Sequence, residues 1–344
     1  VLRSTKIFGQ ITTEVLYSAI LRGIFNEKNI KALKKELLTT DIKYKSFSGQ
    51  NFDIPLSYEV FGKALGTAPI VLVNHALTGN STVSGSKGWW KNIIGPQKII
   101  STKKYSIISF NIPGNGYNDF FIDNYEDLTT KDIAAIFLQG LENLEIKTLH
   151  SIIGGSLGGS IGWEMLAINP KISENFIPIA SDYKTHDWLH AQCLVQKYLL
   201  DSPEKPLEKA RAHAMLCYRT PESLNERFDG KLTKENTRRE SEDWLIYHGE
   251  SLNERFSLKA YQLMNHLLMT VDTNEKALSK IKANINLIAI NTDLFFPASE
   301  IKKCYEKIKT HKKDIFYDEI VSIHGHDAFL MEYEQLQELL KPIY

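Results

Sequence analysis

Short runs of almost uninterrupted apolar, β-prone residues recur along the chain. They are PIVLVNH (69–75), KYSIISFN (104–111), TLHSII (148–153), NFIPIAS (175–181), INLIAIN (285–291) and DIFYDEI (314–320). A strand with one wet face alternates apolar and polar side chains. Runs without that alternation predict strands buried on both faces, as in a parallel sheet. Helix-period segments lie between several of them, among them TTKDIAAIFLQGLENL (129–144) and SEIKKCYEKIKT (299–310). Upstream, IKYKSFSGQNFDIPLSYEVFG (42–62) alternates around the turn signal Ser48-Gly49-Gln50-Asn51, which predicts an antiparallel hairpin. An antiparallel start followed by strand–helix alternation implies an α/β chain with a doubly wound, mostly parallel sheet.

The spacing of these runs organises the chain. Between the strands at 175–181 and 285–291 lie about a hundred residues with helical patterning and no convincing strand. A structureless loop of that length does not fit a compact domain. The stretch 183–273 is therefore read as a helical lid inserted over one end of the sheet. Residues 41–182 and 274–344 form the sheet-bearing core, and 1–40 a helical, Lys-rich extension. Within the insertion ESLNERF occurs twice, at 222–228 and 250–256, with unlike flanks. The two copies are read as similar helix-to-turn segments rather than a duplication.

Composition changes this picture only by exclusion. The 344 residues hold 41 Lys+Arg against 41 Asp+Glu, so no net charge draws the chain to nucleic acid or acidic lipid. The apolar fraction of 43% is ample for a core. Cys193, Cys217 and Cys304 are scattered and have no metal-site spacing, which suits a reducing compartment and predicts no metal centre. No apolar stretch approaches the ~18 residues of a membrane span. EVLYSAILRGIF (14–25) is cut by Arg22 and lacks a cleavage pattern, so it reads as an amphipathic helix of a cytoplasmic protein with no membrane partner.

The chemistry concentrates in TLHSIIGGSLGGSIGWEML (148–166), which holds G-x-S-x-G twice, at Gly154–Gly158 and Gly158–Gly162. The glycines contain no G-x-G pair and no lysine follows, so neither dinucleotide nor phosphate cradling is indicated. A nucleophilic serine must stand at the strand-to-helix corner among small neighbours. Ser156 meets that demand. Ser160 falls one turn into the helix, where it serves close packing. In such an architecture the acid and the base follow in the order Ser, Asp/Glu, His, on loops after later strands. Asp293 follows INLIAIN and is preferred as the acid, while Asp182 follows an earlier strand and is the alternative. His324 and His326 both follow the last strand, and position alone does not separate them. Leu157 N–H, just after the nucleophile, and Leu77 N–H, in the early loop NHALTG, are the expected oxyanion donors.

Together VNHALTGNS, GWWKNIIGP, IIGGSLGG, DLFFP and GHDAFLMEYE resemble the homoserine O-acetyltransferases of the α/β-hydrolase superfamily, from about residue 55 to the C-terminus. The resemblance implies an α/β-hydrolase fold and transfer of an acetyl group from acetyl-CoA to the L-homoserine hydroxyl through an acetyl-serine, in methionine biosynthesis. It implies no cofactor besides acetyl-CoA as donor substrate, and a homodimer formed through the helical insertion. It selects His326 over His324 and Asp293 over Asp182. It further implies that Asp327 binds the acceptor's ammonium group and Arg211 its carboxylate, with Tyr218 beside it. Two features depart from the family pattern. The segment NIPGNGYNDFFIDNYEDLTTKD after Asn111 is shorter and lacks a G-S-T-G-P-like run, and Leu157 stands where methionine is common. The same triad acting as an esterase, or on serine as acceptor, is the alternative.

Overall fold

The computed structural model describes residues 37–344. The helix read at 14–25 and most of the 1–40 extension lie outside them. Ten strands and ten α-helices are formed among the described residues. The strands are β1 (Leu38–Lys45), β2 (Asn51–Gly62), β3 (Ile70–Asn74), β4 (Ile94–Gly95), β5 (Ile100–Ser101), β6 (Ser106–Phe110), β7 (Leu149–Gly155), β8 (Ser173–Ile179), β9 (Asn284–Ile290) and β10 (Ile315–Ile320). Eight of them make one sheet in the order β1-β2-β6-β3-β7-β8-β9-β10, and β4 and β5 pair separately. β1 and β2 are antiparallel to each other, as is β2 to β6; every later pair is parallel. This is the α/β-hydrolase arrangement, a mostly parallel sheet with helices around it. β1 begins at Leu38, within the range read as extension, because the long β2 carries the hairpin register out to a Leu38–Tyr58 pair.

Burial explains the unalternating strands. On β3, Ile70 and Leu72 join one apolar core while Val71 and Val73 join a second on the opposite face. Ile108 and Ile107 divide in the same way, as do Ile152 and Ile153. A central strand with both faces covered has no use for polar positions.

The helices of the core are α1 (Thr130–Asn143), α2 (Leu157–Ile168), α8 (Glu275–Leu278), α9 (Ala298–Lys309) and α10 (Tyr333–Leu340). α1 starts in a capping box: Thr129 Oγ1 accepts from Asp132 N and the Asp132 carboxylate accepts from Thr129 N. Between β8 and β9 the chain forms α3 (Asp187–Leu200), α4 (Pro206–Tyr218), α5 (Pro221–Phe228), α6 (Glu240–Arg255) and α7 (Leu258–Met269). These five helices are the lid. The two ESLNERF copies lie at the C-terminal ends of α5 and α6, both as helix-to-turn segments. Among the described residues no helix is long and apolar enough to cross a membrane.

Candidate active site

β7 runs straight into α2, and Ser156 is the single residue at the corner. Its backbone lies at φ 54° and ψ −129°, a region that non-glycine residues avoid unless the surroundings impose it. The neighbours show why small residues flank it. A Cβ at Gly154 would come within 2.5 Å of Gly158, and one at Gly158 within 2.3 Å of the Asn74 carbonyl. The corner is thus wedged between its own helix and the end of β3. Ser160 is fully buried; its Oγ donates to the Asp182 carbonyl at 2.9 Å and lies 3.1 Å from Ser181 Oγ. That hydroxyl ties α2 to the end of β8.

Asp293 lies in the loop after β9 and His326 in the 3-10 helix Gly325–Leu330 after β10. Asp293 Oδ1 accepts from Phe295 N at 2.7 Å and Phe296 N at 2.8 Å, and Oδ2 is 2.7 Å from His326 Nδ1. An ionised carboxylate only accepts, so Nδ1 carries the proton and Nε2 is left with a lone pair. The rings of Phe295, Phe296, Tyr218 and Phe329 surround the imidazole at centroid distances of 5.2–5.7 Å. Phe329 also lies where a Gly155 Cβ would be, 2.6 Å away, so it packs on both the base and the elbow. Ser156 Oγ makes no hydrogen bond to another side chain among the described residues, and such contacts often close only around substrate.

The alternatives are used elsewhere. Asp182 accepts from Tyr183 N at 2.6 Å and sits 3.2 Å from His186 Nε2, and burial pushes its carboxyl up. His324 Nδ1 is 3.0 Å from Ser223 Oγ and 3.1 Å from an Arg219 nitrogen. Among the described residues, the pair Asp293–His326 joins a carboxylate on the loop after β9 to an imidazole after β10, the chain order the elbow calls for.

The amides of Leu157 and Leu77 have no backbone or side-chain acceptor among the described residues. Leu157 opens α2, where the first N–H groups of a helix point outward unpaired. The loop carrying Leu77 is drawn against it, because a Gly158 Cβ would also meet the His75 carbonyl at 2.9 Å. His75 itself is held by its loop. Its Nδ1 is 2.8 Å from the Ala76 carbonyl, so it donates there, while Nε2 accepts from Ile112 N at 3.0 Å. Burial lowers its pKa to about 4, so it stays neutral.

From the lid, Tyr218 at the end of α4 lies 5.5 Å from the His326 ring, and the Arg211 guanidinium is 5.7 Å from the Tyr218 ring. Arg211 Nε is buried without a partner, and no carboxylate lies within ion-pair distance of this arginine among the described residues. Asp327 follows His326 directly, and its carboxylate makes no hydrogen bond among the described residues. Burial raises its pKa, with Arg211, His326 and Arg219 pulling the other way. A basic and an acidic side chain with no hydrogen bond or ion pair of their own among the described residues, Arg211 and Asp327, therefore flank the triad candidates. Among the described residues no group of three or more His, Cys, Asp or Glu is placed to hold a metal ion.

Residues 69–320 match the family model described as alpha/beta hydrolase fold. A homoserine O-acetyltransferase of Cyclobacterium marinum is 31% identical, over 86% of this chain and 91% of that one. The chain belongs to the homoserine O-acetyltransferase family. It is an enzyme of that α/β-hydrolase group. The homoserine O-acetyltransferase of Thermus thermophilus is 28% identical over 86% of this chain and 87% of its own. Among solved structures, homoserine O-acetyltransferase from Bacillus anthracis (TM-score 0.80, 17% identity) covers 90% of this chain and 97% of its own. Esterase E22 (TM-score 0.80, 16% identity, 90% and 99%) shares the same fold.

Four residues around the candidate site escaped the sequence. Arg219, beside Tyr218, is 7% exposed and donates to Ser223 Oγ at 2.6 Å, and its Nε has no partner. Burial lowers its pKa. Arg255, the arginine of the second ESLNERF copy, donates to the Thr78 carbonyl at 3.2 Å, one residue from Leu77. Trp188 and Gln192 reach the loop of Asp293. The repeat was the one available signal, and it pointed to a residue type without naming its contact.

Proposed function

We propose that this enzyme moves an acetyl group from acetyl-CoA to the hydroxyl of L-homoserine through an acetyl-Ser156 intermediate. The observation that carries the reading is a basic and an acidic side chain, Arg211 and Asp327, without a hydrogen bond or ion pair among the described residues, beside the Asp293–His326 couple. A hydrolase needs no such pair, whereas a zwitterionic amino acid requires one cation and one anion at fixed separation. The names of the relatives point to the same acceptor.

In the first half-reaction Ser156 Oγ attacks the thioester carbonyl and His326 Nε2 takes its proton. The N–H groups of Leu77 and Leu157 stabilise the oxyanion. Asp293 holds the imidazole in the tautomer that accepts at Nε2 and stabilises the imidazolium. Collapse expels the CoA thiolate, which receives the proton from His326. In the second half the homoserine hydroxyl, held by Arg211 and Asp327 with Tyr218 alongside, gives its proton to His326 and attacks the acetyl-serine carbonyl; collapse breaks the bond to Ser156 Oγ, which takes the proton back from His326 and frees O-acetylhomoserine. No further cofactor takes part, and the product serves methionine biosynthesis. A cytoplasmic setting suits the free thiols of Cys193, Cys217 and Cys304. Exposed apolar side chains on the lid, among them Tyr198, Leu216 and Tyr247, support a homodimer through it.

The test is thiol release from acetyl-CoA with and without L-homoserine. Release that depends on homoserine is the expected result. Rapid hydrolysis of simple acetyl esters with no response to homoserine would overturn the reading in favour of an esterase, and a response to L-serine alone would move the acceptor.

A further inference from the structure

Three side chains of the lid donate to carbonyls of the two core loops that serve the chemistry, and in each case on a peptide unit whose other side is already in use. In the acid loop, Trp188 Nε1 and Gln192 Nε2, both on α3, donate to the Leu294 carbonyl at 2.6 and 2.9 Å. That carbonyl shares a planar peptide with Phe295 N–H, which donates to Asp293 Oδ1 at 2.7 Å. Fixing the C=O from the lid therefore fixes the N–H that orients the carboxylate. It also polarises that N–H, because a carbonyl that accepts makes its own amide a better donor. In the oxyanion loop, Arg255 at the end of α6 donates to the Thr78 carbonyl at 3.2 Å. That carbonyl shares a peptide with Gly79 N–H, which donates to Ala76 O at 2.9 Å and closes the turn that presents Leu77.

The side chains themselves indicate that these bonds are specific. The Trp188 residue is 57% exposed, yet its indole N–H faces a core carbonyl rather than water. Gln192 is buried with Oε1 unpaired, so its amide is held in the one orientation that puts nitrogen on Leu294. Arg255 has no carboxylate within ion-pair distance among the described residues, so its hydrogen bond to the loop is its resolved attachment.

We propose that Trp188, Gln192 and Arg255 are positioning residues through which the lid sets the orientation of Asp293 and of the oxyanion turn. The proposal rests on the reading of Ser156, His326 and Asp293 as a triad. It implies that the lid is part of the catalytic frame and not only the wall of an acceptor pocket. The two contacts act on different groups within the same step. Loosening the acid loop weakens support of the imidazolium, whereas loosening the oxyanion turn weakens stabilisation of the tetrahedral intermediate.

The experiment uses the full chain and p-nitrophenyl acetate, which contains neither CoA nor an amino acid. The nitrophenol burst reports acylation alone. For Trp188→Phe, and for Trp188→Phe with Gln192→Leu, the burst rate constant should fall about tenfold, consistent with small misplacement of a catalytic group. The acid limb of its pH profile should move to lower pH. For Arg255→Met the rate should fall by about the same factor at every pH, with the limb unmoved. Glu254→Ala, an exposed neighbour on the same helix, is the control for lid damage. Should Gln192→Leu fail to fold, Trp188→Phe alone carries the acid-loop arm. Burst rates within twofold of wild type would overturn the proposal. A loss for Arg255→Met seen only as a raised KM for acetyl-CoA or homoserine would make Arg255 a binding residue and overturn its positioning role. Ser156→Ala separates the two readings: a persisting burst refutes the triad, whereas its absence beside unchanged Trp188 and Arg255 variants refutes only the proposal.

Discussion

At the scale of single residues, two overlapping G-x-S-x-G motifs become unlike environments four residues apart. Ser156 occupies a strained corner beside unpaired amides, while Ser160 is sealed between α2 and the end of β8. Ser156→Ala should remove acyl-enzyme formation, lowering turnover by at least a thousandfold in an acetyl-CoA assay with mass detection of the acylated chain. Ser160→Ala should leave acylation intact and lower stability by about 1 kcal/mol, read by urea denaturation, because a buried hydrogen bond is lost. The aspartates divide similarly. Asp293→Asn should reduce kcat by about 10⁴-fold through the wrong imidazole tautomer, while Asp182→Asn should leave kcat within a few-fold. An Asp182 effect as large as that of Asp293 would reverse the assignment. The triad candidates were legible in the sequence because chain order and strand ends constrain them tightly. The separation of His324 from His326 was not, since two histidines in one turn satisfy the same order, and only the resemblance chose between them.

At the scale of elements, strands were easier to read than contacts between elements. Both-face burial leaves a continuous apolar signature that a local window detects, as in INLIAIN and β9. The start of β1 was missed by a few residues because it depends on pairing with β2, which the alternating pattern of one strand does not reveal. Lid-to-core contacts are harder still, for Trp188 and Leu294 are about a hundred positions apart and nothing local marks them as partners. Arg211 tests the lid's role in acceptor recognition. Arg211→Met should raise the KM for L-homoserine at least tenfold, because a charge-assisted carboxylate contact is lost. The p-nitrophenyl acetate burst should stay near wild type. If the burst falls as far as the acceptor reaction does, Arg211 supports the triad rather than the substrate. Asp327→Asn should show the same division, since the ammonium group it would hold is absent from the ester assay.

At the scale of the whole molecule, the acid side of the stability profile is a balance between buried groups of opposite sign. His75 has its pKa lowered by burial from 6.5 to about 4. The unfolded chain therefore binds more protons there between those pH values, and stability is lost as pH falls through that window. The buried carboxyls of Glu164 and Asp182 act the other way, because burial raises theirs, so that acid favours their folded form. On acidification the histidine's window opens at 6.5, the value in the unfolded chain. Between pH 6.5 and 5 a single group shifted this far removes about 1.5 kcal/mol of stability. Balanced formal charge, with 41 acidic and 41 basic side chains, gives no large competing self-repulsion near neutrality. His75→Gln removes the titrating group while leaving an amide to bridge the Ala76 carbonyl and Ile112 N. Urea denaturation of both proteins at pH 6.5 and pH 5 isolates the contribution as a double difference in which the carboxyl terms cancel. The wild type should lose about 1.5 kcal/mol more than the variant over that interval. Equal losses would mean that His75 is protonated in the folded protein as readily as in the unfolded one, and its buried, neutral hydrogen-bonding pattern behind the oxyanion loop would have to be redrawn.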